Sequence, residues 1–311
     1  MATHIRNWTW EINQLATGLL EVERAVVPMD HCVIGSVVAN RAALHRVRLA
    51  AGWAGALLPA PESGKVFIEG WNLDAGMAVL LPSSVEVELL THGIARLFVV
   101  AYRDGTTEAA ESIRGSFRRA SIARAAGLLD DLPGSLATPN ATFAETQALG
   151  ALQTRLVGWL RAAAARAMDP CADRRDLPRR RLAVERARRY IHEHLAEPIR
   201  LPELCRHAHI QARSLEYGFR DLVGMSPIRY VKMLRLGEVR RRLQASSPGE
   251  RSVSEVALDC GFFHLSQFAV DYKKVFLESP SATRRADAAA WPANARFTRA
   301  GRAPAPAQCS L

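Results

Sequence analysis

Residues 201–227 read LPELCRHAHIQARSLEYGFRDLVGMSP, and residues 253–280 read VSEVALDCGFFHLSQFAVDYKKVFLESP. Leu215, Phe219, Val223 and Pro227 match Phe268, Tyr272, Phe276 and Pro280, every pair 53 residues apart. Cys205, Ala208 and Ile210 likewise match Ala257, Cys260 and Phe262, with one residue inserted afterwards. Such self-similarity marks one supersecondary unit used twice. Each unit reads as a short helix, a tight turn and a second helix. Small residues on the first helix let the second approach closely. His209-Ile210-Gln211 and Gly261-Phe262-Phe263 supply the turns. Apolar residues at i, i+4 and i+8 then form an inward stripe. Ser226-Pro227 and Ser279-Pro280 stop the second helices, and Ser252-Val253-Ser254-Glu255 has the spacing of a capping box. Two short helices around a tight turn describe a helix-turn-helix, whose second helix enters the DNA major groove. Helical hairpins also build interaction repeats, so the period alone leaves both readings open.

Working outward, residues 228–243 predict one long basic helix carrying Arg229, Lys232, Arg235, Arg240, Arg241 and Arg242. At ~1.5 Å per residue it is about 24 Å long. As a strut it would set the spacing of two reading helices, since adjacent major-groove segments on one face lie about 34 Å apart. Charge favours nucleic acid over an interaction repeat. The net +10 divides into −3 over residues 1–150 and +13 over 151–311. That asymmetry suits contact with a polyanion in the second half.

The length of 311 residues fits about two domains, and 49% hydrophobic beside 23% charged residues excludes wholesale disorder. No apolar run reaches the roughly 18 residues of a membrane span, and Met1 to Trp10 lacks the pattern of a secretory signal. A cytoplasmic protein with no membrane contact is expected. Cys32, Cys171, Cys205, Cys260 and Cys309 are scattered, none in a CxxC, so they point to free thiols in a reducing compartment.

From about residue 19 to 105 the pattern has period two. Leu20-Glu21-Val22-Glu23, Arg46-Val47-Arg48-Leu49 and Val85-Glu86-Val87-Glu88-Leu89 alternate, while Leu97-Phe98-Val99-Val100 reads as a strand buried on both faces. Short strands with frequent Gly and Pro punctuation indicate a sandwich or barrel. His4, His31, His45 and His92 are isolated, with no His-x-His pair, so a metal centre is not expected. There is no nucleophile elbow and no Gly-rich phosphate loop. Neither a cofactor nor catalysis is expected, and a barrel enzyme tethered to nucleic acid is the alternative. Trp53, Phe67, Trp71 and Met77 are the candidates to line an effector cavity, although core packing explains them as well. Two helices are expected over about 107–127 and 143–167, completing a sensor over 1–168. A linker over 169–181, a DNA-binding domain over 182–286 and a disordered tail over 287–311 follow.

The segments Leu201-PELCRHAHIQARSLEYGFRDLVGMSPIRYVKMLRL and Val256-ALDCGFFHLSQFAVDYKKVFLESPSATRR resemble the AraC/XylS family of bacterial transcription regulators. Within it, Gly261-FFHLSQFAVDYKKVFLESPS looks most like the branch of the ethanolamine-utilisation operon regulator. The resemblance implies an α+β multidomain chain, with a cupin-like β-barrel and accessory helices before an all-α domain of two helix-turn-helix units. It also implies base reading by Arg213, Glu216 and Tyr217 in the first unit and by Ser266, Gln267 and Val270 in the second. Arg can take guanine bidentately, Gln adenine, and Glu can accept from cytosine. Tyr217 and Val270 stand where many members have Arg, and Leu277 where Gly is usual before the Ser-Pro turn. Arg220, Lys273 and Lys274 are placed for phosphates, which add affinity without specificity. A transcription activator follows, with double-stranded DNA, RNA polymerase and a small-molecule effector as partners and a homodimer as a possible assembly.

Overall fold

The computed structural model describes residues 2–103 (apart from 6–7, 29–31, 69, 75–76 and 82), 118–121, helical positions between 151 and 162, 178–245 and 251–285. The N-terminal part is all-β among these residues. Its strands are β1 (Ala2–Ile5), β2 (Trp8–Gln14), β3 (Val22–Pro28), β4 (Cys32–Ala39), β5 (Ala43–Leu49) and β6 (Trp53–Pro59). They continue as β7 (Val66–Ile68), β8 (Trp71–Asn72), β9 (Met77–Leu81), β10 (Glu86–Thr91), β11 (Ala95–Arg103) and β12 (Arg118–Ser121). One sheet runs β1-β2-β5-β10-β7-β8, the other β12-β9-β6-β11-β4-β3, and their strand pairings are antiparallel.

Alternation along each strand decides what lies between the sheets. Trp8, Trp10 and Ile12 of the first sheet meet Val33, Val37, Leu57, Val79 and Leu97 of the second. His45 also points inward. Trp10 Nε1 donates to its Nδ1 at 3.2 Å, and Nε2 lies 3.1 Å from Thr91 Oγ1. Burial, then the charge of Arg24, lowers its pKa to about 3, so it is a neutral, satisfied core histidine. The outer face of the second sheet buries Ile34, Leu58, Phe98 and Tyr102 against Leu160 of a helical segment at 157–162. β11 is therefore covered on both faces, as its continuous apolar run requires.

Two expectations change. Strands begin at residue 2, not near 19, because Trp8, Trp10 and Ile12 already alternate. Within the helix expected over 107–127, residues 118–121 form a strand paired to β9, where a sheet edge supplies partners that local periodicity does not reveal. The rest of that segment, most of the helix over 143–167, residues 169–177 of the linker and the tail lie outside the described residues.

The C-terminal part is helical: α1 (Arg179–Glu193), α2 (Leu201–Ala208), α3 (Ala212–Leu222), α4 (Pro227–Ala245), α5 (Val253–Asp259), α6 (Leu265–Phe276) and α7 (Pro280–Arg285). α1 starts inside the expected linker, directly after Pro178, whose φ of −50° suits a helix entry. Ser252 accepts from Glu255 N at 3.1 Å and Glu255 from Ser252 N at 2.6 Å, completing the capping box. Both hairpins turn through a left-handed residue, His209 at φ +54° and Gly261 at φ +81°. Gly224 after α3 is also left-handed, and its counterpart after α6 is Leu277, at φ +61° and 62% exposed. A leucine there carries steric strain and buries little. Leu277→Gly is expected to raise stability by about 0.5–1 kcal/mol, read as a higher thermal midpoint. A lower midpoint would contradict this.

The two parts share a core. Leu15, Leu44, Phe67 and Leu90 of the β-domain cluster with residues of α1, α3, α4 and α6. His92 Nε2 donates to Leu222 O at 2.7 Å, at the end of α3. Gly18 N and Gln14 Nε2 each donate to Val275 O at 3.2 Å, at the end of α6. No described helix is long and apolar enough to cross a membrane.

Candidate nucleic-acid interface

α3 buries Leu215, Gly218, Phe219 and Leu222, and exposes Arg213, Tyr217 and Arg220 along the opposite stripe. Glu216 is half-buried and reaches Arg220 at 4.0 Å, the limit of an ion pair. The Arg213 guanidinium sits over the Tyr217 ring, 5.7 Å from its centroid. That stacking pre-orients a planar fork of donors. Gly218 has a packing reason. A Cβ there would lie 2.7 Å from Val184 Cγ2 and 2.9 Å from Arg180 Cγ, because α1 crosses α3 at that point.

α6 repeats the arrangement. It buries Phe268, Tyr272, Val275 and Phe276, and exposes Ser266, Gln267, Val270, Lys273 and Lys274. Val270 is 62% exposed and Phe263, before the helix, 61%. All the sequence-predicted reading and phosphate positions thus fall on two helix faces that solvent reaches, Glu216 partly. The docked β-domain touches these helices at their C-terminal ends, through Leu222 and Val275, and leaves those faces open.

The basic helix α4 spans Pro227–Ala245, and most of its cations are engaged within the domain. Lys232 pairs with Asp271 at 3.0 Å, Arg240 with Glu278 at 2.9 Å, and Arg241 and Arg242 with Glu238 at 2.7 Å. Arg235 donates to Leu195 O at 2.8 Å, to Gly261 O at 3.1 Å and to Glu197 O. These cations hold the domain together. Glu238 and its arginines stand three and four apart in sequence, but Asp271, Glu278 and the carbonyls come from distant segments.

A polar network joins the domains behind the helices. Arg188 is 4% exposed, and its Nη1 donates to both carboxylate oxygens of Glu185 at 2.9 Å while Nη2 donates to Glu88 of β10. Arg46 binds the same Glu88 at 3.0 Å and donates to His192 Nδ1 at 2.9 Å, which puts the ring proton on Nε2. Burial pushes the Glu88 carboxyl up, but Arg188, His192 and Arg46 outweigh it and hold it far below the usual range.

The expected effector residues do not line one cavity. Trp53, Trp71 and Met77 pack against the core between the sheets, whereas Phe67 points from the other face of its sheet into the interdomain core, with His92 at 5.3 Å. The side alternation of β7 decides this. Among the described residues no group of three or more His, Cys, Asp and Glu comes together as a metal site.

Residues 204–286 match the family model described as a helix-turn-helix domain. Over 105 residues the chain is 34% identical to the "Probable thc operon regulatory protein" of Rhodococcus erythropolis, covering 34% of this chain and 30% of that protein. Over 109 residues it is 38% identical to "XylDLEGF operon transcriptional activator 1" of Pseudomonas putida, covering 35% and 33% respectively. A solved structure of a probable AraC family transcriptional regulator from Rhodopseudomonas palustris is 33% identical and covers 33% of this chain and 94% of that one, with a TM-score of 0.31. The chain thus spans about a third of the length of these curated relatives.

Proposed function

We propose that this chain, carrying a C-terminal helix-turn-helix domain of the AraC/XylS type, is a sequence-specific DNA-binding regulator of transcription, and an activator. α2–α3 and α5–α6 act as two reading units. α3 presents Arg213, Glu216 and Tyr217 to base edges, and α6 presents Ser266, Gln267 and Val270. Arg220, Lys273 and Lys274 meet phosphates. α4, at 19 residues, is about 28 Å long and suits two major-groove segments one turn apart. The observation that carries the reading is the pair of exposed polar stripes on α3 and α6, each backed by a buried apolar stripe and left open by the docked β-domain. Relatives named as operon regulators and transcriptional activators support it.

The β-domain is read as a cupin-like sensor for a small effector, with Trp53, Trp71 and Met77 nearest the space between its sheets. Effector binding shifts DNA engagement only through unequal affinity for two states. The likeness to the ethanolamine-utilisation branch concerns residues of α6, so it bears on DNA reading, while the sheets would choose the effector. RNA polymerase is the expected partner of an activator, the cytoplasm its compartment, and self-association an option for the segment between the domains.

Arg213→Ala is expected to relax the preference at one base position, costing about 1–3 kcal/mol there. Lys273→Ala should weaken all sequences alike. Binding titrations on a set of single-base variants of the preferred duplex separate the two. Uniform weakening by both substitutions would overturn the assignment of Arg213.

A further inference from the structure

Most cations of α4 differ in their surroundings from those at the start of α1. On α4, Lys232, Arg235, Arg240, Arg241 and Arg242 are matched to carboxylates or carbonyls, as described above. At the start of α1 the situation is reversed. Among the described residues, no carboxylate lies within 4 Å of Arg179, Arg180 or Arg206, and all three are exposed. They line an open cleft between the first turn of α1 and the α2–α3 turn, together with His209, Gln211 and Ser214. Among the described residues, Asp221 is the only carboxylate lining it.

The place of this cleft follows from the crossing at Gly218. α1 crosses α3 at Gly218, the cleft beside that crossing is lined by Gln211, Ser214 and Asp221, and the reading stripe 213, 217 and 220 lies one step around the same helix. A helix in the major groove, about 12 Å wide, has a phosphate backbone along each flank. The cleft therefore sits where one of those backbones would run, beside the first base-reading stripe. Three unpaired guanidiniums facing a polyanion are complementary to it, and guanidinium forks suit phosphate oxygens.

Resting on the DNA-reading proposal, we propose that Arg179, Arg180 and Arg206 form a clamp on the phosphate backbone that flanks the segment read by α3. The clamp adds affinity and fixes register without reading bases. It extends the contact beyond the two recognition helices to the helix that ties the sensor to the reader.

The test uses the full chain, a duplex enriched by it from a random pool, and a scrambled duplex, with affinities measured across a range of KCl. In the triple variant R179Q/R180Q/R206Q, glutamine keeps part of each stem and removes the charge. Affinity for both duplexes should fall by the same factor, roughly 100-fold near physiological salt if three phosphate contacts are lost, and the salt slope should shrink by about 2–3. The ratio between enriched and scrambled duplex should stay the same. A variant with wild-type circular dichroism and an unchanged salt slope overturns the clamp. So does a loss of discrimination with the slope intact, because the three residues would then read bases. If the wild-type chain enriches no duplex, the DNA-reading proposal itself fails, and the outcomes are distinct.

Discussion

Arg188→Ala is expected to cost about 3–5 kcal/mol of stability and to loosen the two domains from each other. Arg188 is buried on α1 and bridges Glu185 of its own helix to Glu88 on β10, while its Nε lies 3.4 Å from Tyr230 Oη. Removing the cation leaves two carboxylates and a phenol facing one another in a partly dehydrated seam. The cost is that of uncompensated charge, not the net value of the pair. A double variant, Arg188→Met with Glu88→Leu, should therefore recover much of the loss.

The same site predicts a pH dependence. The folded-state pKa of Glu88 is depressed, so its contribution is fully present above the unfolded value near 4.3 and is lost as pH falls through the folded value. Wild-type stability should fall as acid passes below about pH 4.5. In Arg188→Ala the largest attraction is gone and only His192 and Arg46 still hold the carboxylate, so protonating Glu88 costs less. The gap between the two proteins should thus narrow as the solution is acidified. Denaturant midpoints at pH 7 and pH 3 read this directly, the lower point lying inside the window where the contribution is being lost. A difference under 1 kcal/mol, or one that is flat with pH, contradicts the account of the seam.

Arg235→Ala is expected to cost about 2–4 kcal/mol and to uncouple the two reading helices. Charged donors to carbonyls contribute about 1.5–3 kcal/mol, and each carbonyl left dry adds to the loss. The three carbonyls come from Leu195 and Glu197, after α1, and from Gly261, at the turn of the second hairpin. One guanidinium thus ties the first half of the domain to the second. Gly261 is required by this closeness, since a Cβ there would lie 2.9 Å from Arg235 Cζ and 3.0 Å from Ala196 O. Without Arg235, affinity for a duplex carrying both read segments should fall toward that for a duplex carrying one. Arg235→Lys should not rescue, because an ammonium lacks the fork that reaches three acceptors. A folded variant with an unchanged ratio of two-segment to one-segment affinity contradicts the staple.

The repeat was the legible part of this chain, because helical spacing and Pro stops are local signals. The exposed positions on α3 and α6 follow from the same periodicity once the buried stripe is known. The alternation of β5 and β10 and the continuous apolar run of β11 were legible for the same reason. What local pattern does not carry is the matching of surfaces. Leu44, Phe67 and Leu90 alternate like ordinary solvent-side residues of a sheet, yet they are buried beneath α1, α3 and α4. The cations of α4 read as those of a basic strut, and local pattern does not show that Asp271, Glu278 and distant carbonyls claim several of them. Arg179-Arg180-Arg181 reads as linker charge, and only the crossing at Gly218 puts its first two members beside a reading helix.

Two helices reading two successive groove segments is the central claim. Selection of duplexes from a random pool by the full chain, followed by sequencing, tests it most directly. The account predicts two blocks of specified bases whose centres lie about 10–10.5 base pairs apart, one helical turn. A single block, or no enrichment over the starting pool at physiological salt, would contradict it.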